Sequence, residues 1–233
     1  MDLVLTARRG PRLTELAEEL GSRYGVRTAT VAADLSQPGE ARRLWAEASA
    51  GRSIDLLVNN AGFGIKGRFD DVPLERHLEL IQVNCVAVVE LTHLALVAMR
   101  ERGGGGIINV ASMTAFQPIP SFASYAASKA FVLSLSEALW AENAPAGIRV
   151  LGLCPGRTPT EFQAIAGTGS AEGAFGARST ECVVDAALRA FERGRSYEVP
   201  GLENLLASWV VRVLPRSLVT KAMKAVVKRI WRT

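Results

Sequence analysis

Tyr125 and Lys129 lie four residues apart in SFASYAASKAFVLSLSEALW, thirteen residues after Ser112, which closes the apolar run IINVAS. On an α-helix that spacing places a phenol and an amine on one face. A free phenol titrates near 10, and a neighbouring ammonium favours the phenolate. The pair is therefore expected to be drawn toward neutrality, where it can give and take a proton. Ser112, at the carboxyl end of a strand-like run, stands where parallel sheets place their ligands, and its hydroxyl could hold a substrate oxygen. Asn84 sits in the apolar segment LELIQVNCVAVV, where a carboxamide needs partners. Asn60, Ala61 and Gly62 end the run DLLVNN; small residues there allow close approach of a ligand to the backbone, or simply make a turn. Tyr-x-x-x-Lys alone is weak evidence, since a surface tyrosine stacked on an aliphatic lysine stem has the same spacing. The surrounding residues give it weight.

Six short apolar runs begin at Leu3, Thr28, Asp55, Gly106, Ile148 and Tyr197, separated by amphipathic stretches. Alternation of this kind predicts a parallel sheet covered by helices on both faces. The first helix is expected to start at Pro11, to carry Leu13, Leu16, Ala17 and Leu20 on one apolar stripe, and to end at Gly21. Further helices are expected over 37–50, over 74–101 with a break, and over 124–143. The glycine run 103–106 precedes a strand, so it reads as a turn and not as a phosphate loop. Residues 161–180, rich in Gly and Ala, read as a mobile lid or as an ordinary surface loop.

The 233 residues are 48% hydrophobic and 21% charged, enough for one domain with a sizeable core. No uncharged apolar stretch of eighteen residues and no leader-like amino terminus is present, so a cytoplasmic protein is expected. Cys85, Cys154 and Cys182 are odd in number and far apart, which argues for buried free thiols and against disulfides or zinc. His77 and His93 have no partner at ligand spacing, so no metal site is expected.

Taken in order, Asp34-Leu35, the NNAG at 59–62, Asn84, Ser112, Tyr125-x-x-x-Lys129 and Pro155-Gly156 with Thr158 and Thr160 resemble the short-chain dehydrogenase/reductase family over nearly the whole chain. The resemblance implies an α/β fold with a Rossmann-type, doubly wound parallel sheet and hydride transfer between a nicotinamide cofactor and a carbonyl or secondary alcohol. By that resemblance Tyr125 exchanges the proton, Ser112 positions the oxygen, Lys129 holds the nicotinamide ribose, and Asn84 organises a water relay. Asp34 would meet the adenine, and the Pro155–Thr160 segment would border the nicotinamide. Arg8 and Arg9 end the strand LVLTARR, where an acid would mark NAD(H). A basic pair suits a 2′-phosphate, so NADP(H) is favoured over NAD(H); two exposed arginines capping a strand are the plain alternative.

The departure from the family pattern lies at the front, where a strand, a TGxxxGxG turn and a helix would precede LVLTARR. Three readings follow. Met1 is an internal methionine of a longer protein, or the strand LVLT pairs directly with DLLVNN, or the scaffold has given up catalysis for binding. On any of them, NADPH is expected to bind this chain poorly.

Residues 203–233 carry seven Lys/Arg and one Glu, so the net +4 belongs to the tail. Residues 1–201 therefore read as the Rossmann-type domain and 202–233 as a basic amphipathic extension of two helices broken by Pro215. The second helix could lie on an anionic membrane through 216–233 or pack against protein, and nucleic acid is not expected. The leading expectation is an NADP(H)-dependent reductase or dehydrogenase, a homo-oligomer acting on an apolar carbonyl or alcohol near Ile119, Pro120, Phe122 and Phe162. A catalytically silent or membrane-associated binding protein is the alternative.

Overall fold

The computed structural model of the chain describes residues 2–168 and 176–231, without the side chains of 229–231. Six strands form two parallel sheets. β1 (Leu3–Ala7) pairs with β2 (Thr28–Ala32), and β3 (Leu56–Asn59), β4 (Gly105–Val110), β5 (Ile148–Leu153) and β6 (Tyr197–Glu198) follow one another in a second sheet. All six lie on the apolar runs expected.

Alternating side chains bury both faces of the larger sheet. Ile107, Ile148 and Val150 pack with Ala95 and Met99 of α4 (Ala87–Arg102). Ile108, Leu151 and Leu153 pack with Val183, Ala187 and Ala190 of α7 (Thr180–Glu192). Continuous apolar strands covered by helices on both sides define the doubly wound arrangement. Each fully buried aliphatic side chain in these layers contributes about 1.5–3 kcal/mol.

The reading in which LVLT pairs with DLLVNN is corrected here: among the described residues β1 is bonded to β2 and no ladder joins it to β3. The crossover through α1 (Gly10–Tyr24) sets β1 beside β2 in register from Leu3 opposite Thr28 to Ala7 opposite Ala32. Side chains alone bridge the two sheets, because Val4 and Leu57 pack on one cluster built by Ala41 and Leu44 of α2 (Glu40–Ser49) with Ala87 and Leu91 of α4.

The first helix also runs past its expected end. Gly21 stays helical, and Gly25, with φ of 64°, takes the left-handed position and donates its N–H to the Gly21 carbonyl. The expected break in 74–101 proves to be a single π-helical turn, Gln82–Val86, between α3 (Leu74–Ile81) and α4. By length and apolar composition the segment Leu74–Arg102 could cross a bilayer, yet Leu80, Val88, Leu91, Ala95 and Met99 are core residues. Of the three thiols only Cys85 and Cys154 are buried; Cys182 is exposed on the first turn of α7, contrary to expectation.

Candidate active site

Ser112 follows β4 and caps a 3-10 turn, Met113–Phe116, accepting a hydrogen bond from the Thr114 amide at 3.1 Å. α5 (Ala123–Asn143) then brings Tyr125 and Lys129 beside it. The Tyr125 ring is buried against Phe122 and Phe162, with ring centroids 4.6 and 5.3 Å away. Phe63, Leu80, Ile119, Ala126, Ala166 and Val227 complete the same apolar cluster. Lys129 is also buried; its Nζ donates to the Val110 carbonyl at 2.6 Å and lies 5.8 Å from the centre of the Tyr125 ring.

Burial governs how both groups titrate. It pushes the Tyr125 phenol up to about 12, opposed by a hydrogen bond with Ser112, and it pulls the Lys129 amine down to about 8. The expected drift of the phenol toward neutrality is thus reversed. Each charged form has lost its hydration, and the ammonium is spent on a backbone carbonyl. Burial thus favours the protonated phenol in an apolar wall beside Ser112. Such a group can donate a proton to an oxygen that becomes basic.

Asn84 sits in the π turn with its carboxamide engaged at both ends. Oδ1 accepts from the Phe63 amide at 3.1 Å, while Nδ2 donates to the Phe63 carbonyl and to Ser128 Oγ, each at 3.0 Å. Ser128 in turn donates to the Tyr125 carbonyl at 2.8 Å. A π turn adds one residue to a helical turn and is often found at functional sites; here it belongs to the segment that carries Asn84. Ser128 was not singled out in the sequence, although its place one turn after Tyr125 in YAASK was a usable signal.

Gly62 is wedged into this group. A Cβ there would lie 3.0 Å from Asn84 Oδ1 and 3.4 Å from Lys129 Nζ, so the backbone passes where a side chain would press on both. Asn60, Ala61 and Gly62 are exposed at the carboxyl end of β3. Asn59, just before them, is buried and donates to Asn109 Oδ1 at 2.8 Å and to Thr92 Oγ1 at 3.0 Å; Asn109 donates to Ser136 at 3.0 Å. On the far side of Ser112, the Pro155 carbonyl accepts from the Met113 amide at 3.0 Å. Gly156 lies where a Cβ would meet Asn204 Nδ2 at 2.6 Å. Thr158 and Thr160 are tied together by Gln163, which donates to the Thr158 carbonyl and accepts from the Thr160 amide.

The residues at the other end are differently placed. Asp34 Oδ1 accepts from the Ser36 amide and hydroxyl, and Leu35 is core. Arg8 faces Glu79 at 4.0 Å. Arg9 and Arg12 both grip Glu161 at 2.7 Å, and this pair of guanidiniums holds the Glu161 carboxyl down at about 2. Glu161 was invisible to sequence reasoning, being some 150 residues away from its partners. It immediately precedes α6 (Phe162–Ala166), the described part of the expected lid; residues 169–175 of that expectation lie outside the described residues. A cavity of about 380 Å³ lined by Ala7, Arg9, Arg12, Leu13 and Leu16 opens beside these arginines.

A nicotinamide cofactor fits one end of this arrangement better than the other. At the Gly62, Asn84 and Lys129 end the backbone of Asn60–Gly62 is exposed and the polar groups converge. At the β1 end, the turn into α1 is Arg8-Arg9-Gly10-Pro11 and not a glycine-rich loop.

Sheet order and helical layers define a dinucleotide-type α/β fold, with Ser112, Tyr125 and Lys129 grouped at the strand ends. The chain belongs to the short chain dehydrogenase family, whose pattern it matches over residues 1–169. It is 35% identical over 160 residues to a 7β-hydroxysteroid dehydrogenase of Collinsella aerofaciens, a match covering 69% of this chain and 60% of that enzyme. It is 31% identical over 235 residues to a very-long-chain 3-oxoacyl-CoA reductase of Anas platyrhynchos, covering 99% of this chain and 73% of the relative. A short-chain dehydrogenase from Sphingobium yanoikuyae in complex with NADPH superposes with a TM-score of 0.81 at 30% identity, over 92% of this chain and 87% of that one.

Proposed function

We propose that the protein transfers hydride between NADP(H) and an apolar carbonyl compound or secondary alcohol. The observation that carries this reading is the grouping of the buried Tyr125, the buried Lys129 and Ser112 at the carboxyl end of β4 within an apolar wall. In the reducing direction the nicotinamide, when bound, supplies hydride to the carbonyl carbon. Tyr125 gives its proton to the carbonyl oxygen, and Ser112 donates a hydrogen bond to that oxygen. Lys129 stands one turn away at the open backbone of Gly62, where it would hold the ribose, and Asn84 keeps Phe63 and Ser128 in position around them. Phe122, Phe162 and Ile119 exclude water and suit a large apolar substrate. The relatives named for a steroid and for a very-long-chain acyl group point the same way. Arg9 and Arg12 favour a 2′-phosphate over a free hydroxyl once Glu161 is displaced.

Apolar side chains exposed on α3, α4 and α5, among them Leu78, Val89, Val97 and Phe131, support a homo-oligomer, and cytoplasmic residence accords with this reading. A second reading, a catalytically silent binding protein, is favoured by the Arg8-Arg9-Gly10-Pro11 turn and by the unjoined edges of β1 and β3. Following the absorbance of NADPH at up to millimolar concentration with a bulky aryl ketone separates the two. Turnover that depends on Tyr125 supports the enzyme; its absence at every concentration supports the binding protein.

A further inference from the structure

α8 (Leu202–Val213) is amphipathic in the wrong sense for a helix covered by water. Its inward side carries Asn204 and Ser208, both buried; Asn204 donates to the Pro200 and Gly176 carbonyls and Ser208 to the Leu205 carbonyl. Its outward side carries Leu202, Leu206, Trp209, Val210 and Val213, spaced at three and four residues and exposed by 69%, 52%, 55%, 53% and 83%. After Pro215, α9 (Arg216–Trp231) extends that surface. Val219, Met223 and Val227 face inward, and Met223 and Val227 pack on the cluster that holds Tyr125. Leu218 and Val226, eight residues apart, are exposed, and Lys221, Lys224 and Lys228 are exposed along the other flank, with Arg216 exposed at the start of the helix.

We propose that the outward faces of α8 and α9 dock on an anionic lipid bilayer. The apolar row would enter the acyl boundary, Trp209 would sit at headgroup level, and the lysines would reach the phosphates. Charge decides between a bilayer and a second copy of this chain. The described part of the surface holds Arg212, Arg216, Lys221, Lys224 and Lys228 against one acid, Glu203, which Arg178 already pairs at 2.6 Å. Two such faces brought together would set cation against cation, whereas an anionic surface complements every one of them. Arg212 is held inward over the rings of Phe116 and Tyr197, at 5.0 and 5.1 Å, while Arg216, Lys221, Lys224 and Lys228 stay exposed. Because Met223 and Val227 of α9 pack on the apolar cluster that contains Tyr125, docking sets that cluster next to the bilayer surface.

The test is co-sedimentation of the whole chain with vesicles of phosphatidylcholine alone and of phosphatidylcholine with phosphatidylglycerol. The wild type is expected to partition into the anionic vesicles at least about tenfold more strongly than into the zwitterionic ones, with the difference falling as salt rises. The double variant Trp209→Glu/Val213→Glu alters two exposed side chains, so it should keep the wild-type circular dichroism and lose about tenfold or more of the anionic partition. Equal, weak partition into both vesicles would overturn the proposal, as would a double variant that binds like the wild type. A wild-type oligomer in sedimentation equilibrium that the double variant dissociates would assign the face to a second copy and overturn it equally.

Discussion

The two ends of the strand layer are held by different physics. Beside Ser112 and Tyr125, β3 and β4 and the helices α4 and α5 share an internal polar chain, Thr92, Asn59, Asn109 and Ser136, every member buried and hydrogen-bonded. Around Arg8 and Arg9, where β1 leads into α1, the ion pairs lie in water, Arg9 and Arg12 with Glu161. Buried polar networks are costly to break because each orphaned group has lost its water, whereas exposed ion pairs add little. The end that holds Ser112 and Tyr125 is thus fixed by buried groups. The end that holds Arg9 and Arg12 is tied only by exposed pairs to Glu161.

Breaking the buried end should have the largest effect. Asn109→Ala removes the acceptor for Asn59 and the donor to Ser136, and it is expected to destabilise the fold by about 3 kcal/mol, read as a lower denaturation midpoint at unchanged slope. A midpoint within error of the wild type would show that the network is incidental.

Lys129 sharpens the comparison through pH. Its amine titrates at about 8 in the fold and near 10.5 when unfolded. Between those values the unfolded chain binds the additional proton, so wild-type stability rises with pH through that window; below about 8 the cost of the buried ammonium is fully present. Lys129→Met removes the dependence. The stability difference between the two proteins is expected to change by about 3 kcal/mol from pH 7.5 to 10.5, in favour of the wild type as pH rises. A flat difference would mean that Lys129 is hydrated in the native state.

Glu161→Gln is expected to move stability least. The melting midpoint should stay within error of the wild type, while 2′,5′-ADP, a probe for the 2′-phosphate site, should bind several-fold more tightly as Arg9 and Arg12 are released. Unchanged or weaker binding would place the 2′-phosphate elsewhere.

Much of this was legible in the chain itself. The six apolar runs became the six strands, because a parallel strand buried on both faces needs an unbroken apolar sequence. Tyr125, Lys129, Ser112 and Asn84 were legible as residue types and spacings, and α5 and the π turn bring them together. What could not be read depends on distance and environment. Gly21 looks like a helix end, but the left-handed position falls to Gly25. Cys182 sits among residues that suggest burial, yet it lies on the outer side of α7. The phenol was expected to fall toward neutrality because the lysine is four residues away; the surrounding apolar cluster, assembled from loops and helices as distant as α9, drives it upward instead. Glu161 meets Arg9 and Arg12 only through the fold.

The most direct measurement is the rate of NADPH oxidation with a bulky aryl ketone, compared between the wild type and Tyr125→Phe, with nucleotide affinity measured separately by fluorescence titration. The account predicts a loss of about 10²–10⁴ in kcat/KM for the ketone with nucleotide affinity unchanged, because phenylalanine fills the same cavity and lacks only the phenol hydroxyl. Equal rates in the two proteins would contradict the assignment of Tyr125 as the proton donor.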